Sequence, residues 1–147
     1  MLDEITKLVQ AWCDDRPKLA DSYGAWGQCA IASQDLAEHL VAKGVDVGHL
    51  RITGREYVGR EHWALFVVVG SEEFAIDVTA RQFEPGASFP MIVDLVYWLD
   101  SACEWLVDGL DVFALPLPAP DSEPLWTDVH IREEIEPGPI TYHPQLV

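Results

Sequence analysis

Cys29, His62 and Asp77 are the side chains of this 147-residue chain whose types and order could do chemistry together. A thiol becomes a nucleophile when its pKa falls, and the start of a helix lowers it through unpaired N–H groups and the positive end of the dipole. Cys29 opens such a pattern: Ser33, Leu36, Ala37 and Leu40 recur at helical spacing behind it, and Lys43-Gly44 supplies a stop, so a helix is predicted over 28–43. The preceding Trp26-Gly27-Gln28 closes a loop in which the small Gly27 lets a substrate approach the sulfur. An acyl-transfer site also needs two donors for an oxyanion. The Cys29 N–H is one, and a side-chain donor from Gln28, Trp26 or Tyr23 is the other, with Gln28 the first candidate and Tyr23 and Trp26 also candidates for binding substrate. Taken alone, Cys29 equally fits a small buried hydrophobe.

His62 changes that balance. HWALFVVV, residues 62–69, is the strongest strand pattern in the chain, Gly70-Ser71 fits a two-residue turn with Gly first, and residues 73–79, EFAIDVT, alternate again. In such a hairpin, opposed residues have numbers summing to 141, so His62 faces Thr79 and Ala64 faces Asp77. Asp77 is then the diagonal neighbour of His62 on one sheet face, within reach of an imidazole and a carboxylate. It also sits among Phe74, Ala75, Ile76 and Val78, where an ionised group is costly unless paired. A thiol, a base and an orienting carboxylate follow in that order along helix, strand and strand.

These segments resemble a known family. WGQCAIAS is similar to the G-Q-C-W active-site motif of transglutaminases, and HWALFVVV followed by FAIDVTARQF is similar to the His strand and D-x-T strand of the transglutaminase-like and papain-like superfamily. Papain-fold glutamine deamidases and bacterial toxin domains of similar size share the look of the second pair. The resemblance covers about residues 24–83. It implies that Cys29 is the nucleophile, His62 the general base and acid, and Asp77 the orienter, with no cofactor. Ala30 stands where transglutaminases have Trp, no calcium site is recognisable, and 33 residues separate Cys29 from His62, fewer than in the animal enzymes. The implied relative is therefore a compact bacterial or phage-like member rather than a calcium-dependent crosslinker.

The remaining elements must position these groups. A leading helix is expected over 3–13, with Ile5, Leu8, Val9 and Trp12 on one face and Asp3 as a cap, and a strand over 45–53 with a shift of phase near Gly48. Ile92, Leu95, Val96, Leu99, Ala102, Cys103 and Leu106 mark a helix that begins at Ile92 and ends near Gly109, followed by a strand over 110–115. Seven prolines in the 29 residues from Pro116 to Pro144 make the remainder extended, anchored by Trp126 and Ile131. Trp63, Trp98 and Trp105 read as core or interface, and Cys13 and Cys103 as structural thiols. The expected fold is α+β and papain-like, with the nucleophile helix packed on an antiparallel sheet. Residues 1–115 form the catalytic domain, and 116–147 an acidic Pro-rich extension packed on it.

Composition bounds the partners. The net charge is -16, and it is uneven: residues 1–83 carry 13 acids against 8 bases, whereas residues 84–147 carry 12 acids against Arg132 alone. Nucleic acid and anionic membrane would both be repelled, so the expected partner is a protein or small amide substrate, with a basic protein as a further candidate. His39, His49 and His62 match no metal-binding spacing, there is no nucleotide-binding loop or serine elbow, and no apolar run reaches the roughly 18–20 residues of a membrane span. The acidic start, Met1-Leu2-Asp3-Glu4, lacks the basic residues of a secretory signal. A cytoplasmic protein is expected, with delivery into another cell by a dedicated system left open. The expected activity is acyl transfer through a thioester, either glutamine deamidation or amide and peptide hydrolysis. The alternative is a non-enzymatic acidic inhibitor or adaptor on the same scaffold.

Overall fold

Apolar runs on both sides of Gly70 build an antiparallel hairpin that lies within the sheet, with a strand on either side of it. The computed structural model describes residues 1–54, 61–106, 110–116 and 140–143. Strand β1 is Gly48–Gly54, β2 is Glu61–Val69, β3 is Glu72–Asp77, β4 is Met91–Asp94, β5 is Leu110–Pro116 and β6 is Ile140–His143. Leu65 lies opposite Ile76 and Val69 opposite Glu72, the register that a two-residue turn at Gly70-Ser71 dictates. Gly70 takes a φ of 64°, the sign that such a turn requires of its first residue.

The six strands run in the order β4-β3-β2-β1-β5-β6. All neighbours are antiparallel except β5 and β6, which are parallel, so the expected all-antiparallel sheet is corrected at one edge. That edge comes from the Pro-rich extension, whose Ile140–His143 segment adds to the sheet. Residues 117–139, with the expected anchors Trp126 and Ile131, lie outside the described residues. Strand β1 begins at Gly48, so Val45 and Val47 precede it and the shift of phase does not occur within it. Buried Val47 packs instead with the helical residues Leu36 and Leu40.

Helix α1 is Leu2–Asp14, α2 is Ser22–Ala25, α3 is Cys29–Ala42 and α4 is Leu95–Leu106, with short 3-10 helices at Pro17–Ala20 and Ala80–Gln82. Asp3 falls in the first turn of α1 rather than at its cap. The helix predicted from Ile92 starts three residues later. Met91–Asp94 completes the sheet beside β3, where the β-branched Ile92 and Val93 are suited to a strand. Asp94 then ends it by accepting the Val96 N–H on Oδ1 at 2.9 Å, an N-cap bond that starts α4.

Two apolar clusters sandwich the sheet. On one face Ile5, Val9 and Trp12 of α1 and Ala32, Leu36, Ala37 and Leu40 of α3 meet Leu65, Val67, Ile76 and Val78. On the other, Leu95, Trp98 and Ala102 of α4 meet Leu50, Ile52, Ala64, Phe66 and Ala75. Strand alternation puts His62 and Asp77 on the α4 face, so the helix that begins at Cys29 packs on the face opposite His62. The loop into α3 is linked to the start of β2 through Gln82, which accepts the Gly27 N–H and lies beside His62.

That loop is tied down at several points. Arg81 donates from Nη1 to Ala20 O at 2.9 Å and from Nε to Ala87 O at 2.8 Å, joining the segment before α2 to the turn after β3. Gly24 lies against the first 3-10 helix so closely that a Cβ there would come within 1.9 Å of Lys18 O. Gly24→Ala must therefore displace backbone, and the expected cost is about 1–3 kcal/mol by urea unfolding. Gly86→Ala, where an added Cβ meets nothing within 4 Å, should unfold like the parent protein; equal stability of both variants would refute the close approach.

Candidate active site

His62 and Asp77 are drawn together by the β2–β3 register. Nε2 of His62 lies 2.6 Å from Oδ2 of Asp77, and neither side chain has solvent exposure. The carboxylate is held from two further sides. Thr79 N–H donates to Oδ1 at 3.0 Å, and the Trp98 indole N–H donates to Oδ2 at 2.9 Å. An ionised carboxylate in a dry interior is tolerable only with such a set of donors.

Cys29 is the first residue of α3 and is half-buried. Its thiol is among the groups that raise the basicity of the His62 ring. Asp77 occupies Nε2, and the Gln82 amide nitrogen lies 3.3 Å from Nδ1, the other ring nitrogen. Burial lowers the basicity of the imidazole. The charge and hydrogen bond of Asp77, followed by the hydrogen bond and charge of Cys29, outweigh it and raise the His62 pKa from 6.5 to about 9. Cys13 is the opposite case: burial, with Asp14 adding and Arg16 opposing, pushes its thiol up to about 12. The side chain of Cys103 lies outside the described set.

Gln82 has no counterpart in the sequence reading. Its Nε2 is 3.3 Å from His62 Nδ1 and 3.2 Å from Thr79 Oγ1, and its Oε1 accepts the Gly27 N–H across a long 3.4 Å. One amide therefore spans the base and the loop that carries the thiol. Its position five residues after Asp77, at the end of the second 3-10 helix, is a weak signal that becomes legible only once that turn is known. Gln28, the first-choice amide, sits at the N-cap of α3 without a side-chain capping bond and is exposed. It lines an open groove of about 590 Å³ with Trp12, Arg16, Leu19, Ile31 and Ala32. Gly27 adopts a φ of 74°, so its conformation as well as its size shapes the turn into α3.

Aromatic rings enclose the imidazole. Phe83 meets it edge-on with centroids 4.9 Å apart, Trp105 edge-on at 5.8 Å, and Trp98 lies nearly parallel at 6.1 Å, while Phe83 and Trp105 stack at 5.4 Å. Trp98 and Trp105 are thus core residues that also wall the site. Trp63, on the opposite face of β2, is buried and meets His49 edge-on. Tyr23 and Trp26 project from the loop before Cys29 and are 91% and 68% exposed. Among the described residues no three His, Cys, Asp or Glu side chains converge as a metal site, and no helix is long and apolar enough to cross a membrane.

No family model matches the chain, and no curated protein matches it. Among solved structures, the catalytic domain of the Salmonella virulence factor SseI is similar to it, with 17% sequence identity, a TM-score of 0.52, and coverage of 84% of this chain and 85% of that one. The likeness is one of α+β fold, over most of both chains.

The two buried histidines set opposite pH limits. His62, raised to about 9, contributes stability that is complete below about 6.5 and is lost as pH rises through about 9. His49, lowered by burial to about 4, contributes stability present above about 6.5 and lost as pH falls toward about 4. Calorimetry across this range should find the highest Tm near pH 6.5, and His62→Gln should flatten the alkaline limb; an unchanged alkaline limb in that variant would show that the pair is not coupled to folding.

Proposed function

We propose that the protein is a thiol-dependent acyl-transfer enzyme of the papain-like and transglutaminase-like kind, acting on an amide, with glutamine deamidation or amide hydrolysis as the reaction. The observation that carries this reading is the buried His62, held by Asp77 at 2.6 Å on one nitrogen, with Cys29 at the start of α3 among the groups that raise the basicity of its ring. A purely structural cysteine needs neither an imidazole nor an orienting carboxylate. The α+β likeness to a catalytic domain supports it at the level of fold.

In this mechanism Nδ1 of His62 takes the proton of Cys29, and Asp77 stabilises the resulting imidazolium. The sulfur attacks the carboxamide carbon, and the carbonyl electrons move to oxygen. The Cys29 N–H, one of the first-turn donors that α3 itself does not use, faces that oxyanion. Gln82 supplies the second donor. Its amide nitrogen, 3.3 Å from His62 Nδ1, stands beside the ring, so a donor is at hand where the oxyanion forms. Collapse breaks the C–N bond, and the imidazolium gives its proton to the departing ammonia or amine. Water, deprotonated by His62, then hydrolyses the thioester and returns the thiol. Tyr23 and Trp26 are assigned to substrate binding because their exposed rings project from the loop that precedes Cys29.

His62→Ala should lower the release of ammonia from a glutamine-amide substrate about 100-fold or more, Cys29→Ala should abolish it, and Asp77→Asn should reduce it by disfavouring the needed tautomer. Gln82→Glu, which keeps the shape and loses the donor, should cost about 100-fold in kcat. Iodoacetamide at neutral pH should label Cys29 in the folded protein and Cys13 only after unfolding. Folded Cys29, His62 and Asp77 variants that all retained the protein's biological activity would replace catalysis with the adaptor reading.

A further inference from the structure

We propose that Trp98 is a positioning residue of this site: its indole N–H, donated to the Asp77 oxygen that also binds His62, fixes the carboxylate against the imidazole and limits how strongly that carboxylate holds a proton on the ring. The inference rests on the reading of His62 as the base, but its test does not require turnover.

The geometry leaves Asp77 no freedom. Oδ2 receives His62 Nε2 at 2.6 Å and Trp98 Nε1 at 2.9 Å, and Oδ1 receives the Thr79 N–H at 3.0 Å. Rotation about Cβ–Cγ would break a bond, and no water stands ready to replace it, since Trp98 and His62 are 0% exposed and Asp77 is 1%. Filling a core position on α4 needs only volume, which Phe or Leu supplies. An indole is retained in a dry core where its N–H finds a partner, and here that partner is the orienting carboxylate.

The sign of the effect follows from charge. When His62 is neutral, the Asp77 charge is uncompensated and Trp98 donates to a full anion, the stronger kind of hydrogen bond. When His62 is an imidazolium, the same charge is shared and the indole bond weakens. Trp98 therefore favours the neutral ring and opposes the upward pull of Asp77. Among the described residues, the groups facing His62 are Asp77 from β3, Cys29 from α3, Gln82 and Phe83 after β3, Trp98 and Trp105 from α4, and Ile52 across on β1. Asp77 and Cys29 are the ionisable ones, so the titration of the ring reports on few neighbours.

The experiment is an NMR titration of the ¹⁵N-labelled full chain, following the His62 ring and the Trp98 indole N–H, in the parent protein and in Trp98→Phe. The substitution should leave the near-ultraviolet dichroism folded and raise the His62 midpoint by about half to one pH unit, a three- to tenfold gain in proton affinity. In the parent protein the Trp98 indole resonance should shift with the same midpoint as the imidazole. A folded Trp98→Phe protein with an unchanged midpoint overturns the proposal, and so does a parent indole resonance that stays flat across the His62 titration. The second measurement decides alone should the variant fail to fold. Coupled indole and imidazole signals beside an unreactive Cys29 would sink the thiol-enzyme reading and keep this one; a reactive Cys29 beside a silent indole would do the reverse.

Discussion

The buried Asp77 carboxylate is the group on which the rest of the arrangement depends. Removing a full charge from water costs several kcal/mol unless donors replace the lost hydration. Three elements supply them: β2 through His62, the turn after β3 through the Thr79 N–H, and α4 through Trp98. The need to satisfy one side chain thus fixes the orientation of the imidazole, the start of the turn that carries Gln82, and the seating of α4 on the sheet. Loss of any donor would leave the others holding an under-solvated anion, which makes the network cooperative rather than a sum of pairs.

Cys29 reaches this network from the opposite face. Helix α3 packs its apolar side on Leu65, Val67, Ile76 and Val78, whereas His62 projects toward α4. Cys29, the first residue of α3, and His62, at the start of β2, stand at the margin between the two layers. Gln82 and Arg81 stitch the loop before α3 to the turn after β3, through Gly27 N–H and Ala20 O. The thiol is therefore presented by a segment braced on both sides, while Tyr23 and Trp26 remain outside it and exposed. The inner residues are thus held from several sides, with an open aromatic rim outside them.

Much of the site could be read from the chain because its spacing rules are local. Turn length and strand alternation alone put Asp77 diagonal to His62, and a period of 3.6 residues with a Gly-rich approach put Cys29 at a helix start. Gln82 escaped because the 3-10 turn at Ala80–Gln82 has no period to detect, so its amide could not be aimed from sequence. The start of α4 was misread because Ile92 and Val93 satisfy both a helical stripe and a strand. Contact with β3 and the Asp94 cap decided between them.

What the sequence by itself determined is the set of local geometries: the hairpin at Gly70-Ser71, the helix that begins at Cys29, the burial expected of Trp63 and Trp98, and the acidity of the chain. These follow from dihedral preferences, side-chain periodicity and charge, which act over a few residues or are simple counts. Only the tertiary structure decided that α3 and His62 occupy opposite faces and still meet, that the Trp98 indole finds Asp77 21 residues away, and that Gln82 stands beside the base. Those contacts join groups distant along the chain, and a buried donor chooses its acceptor only when the packed layers have removed water as the competitor.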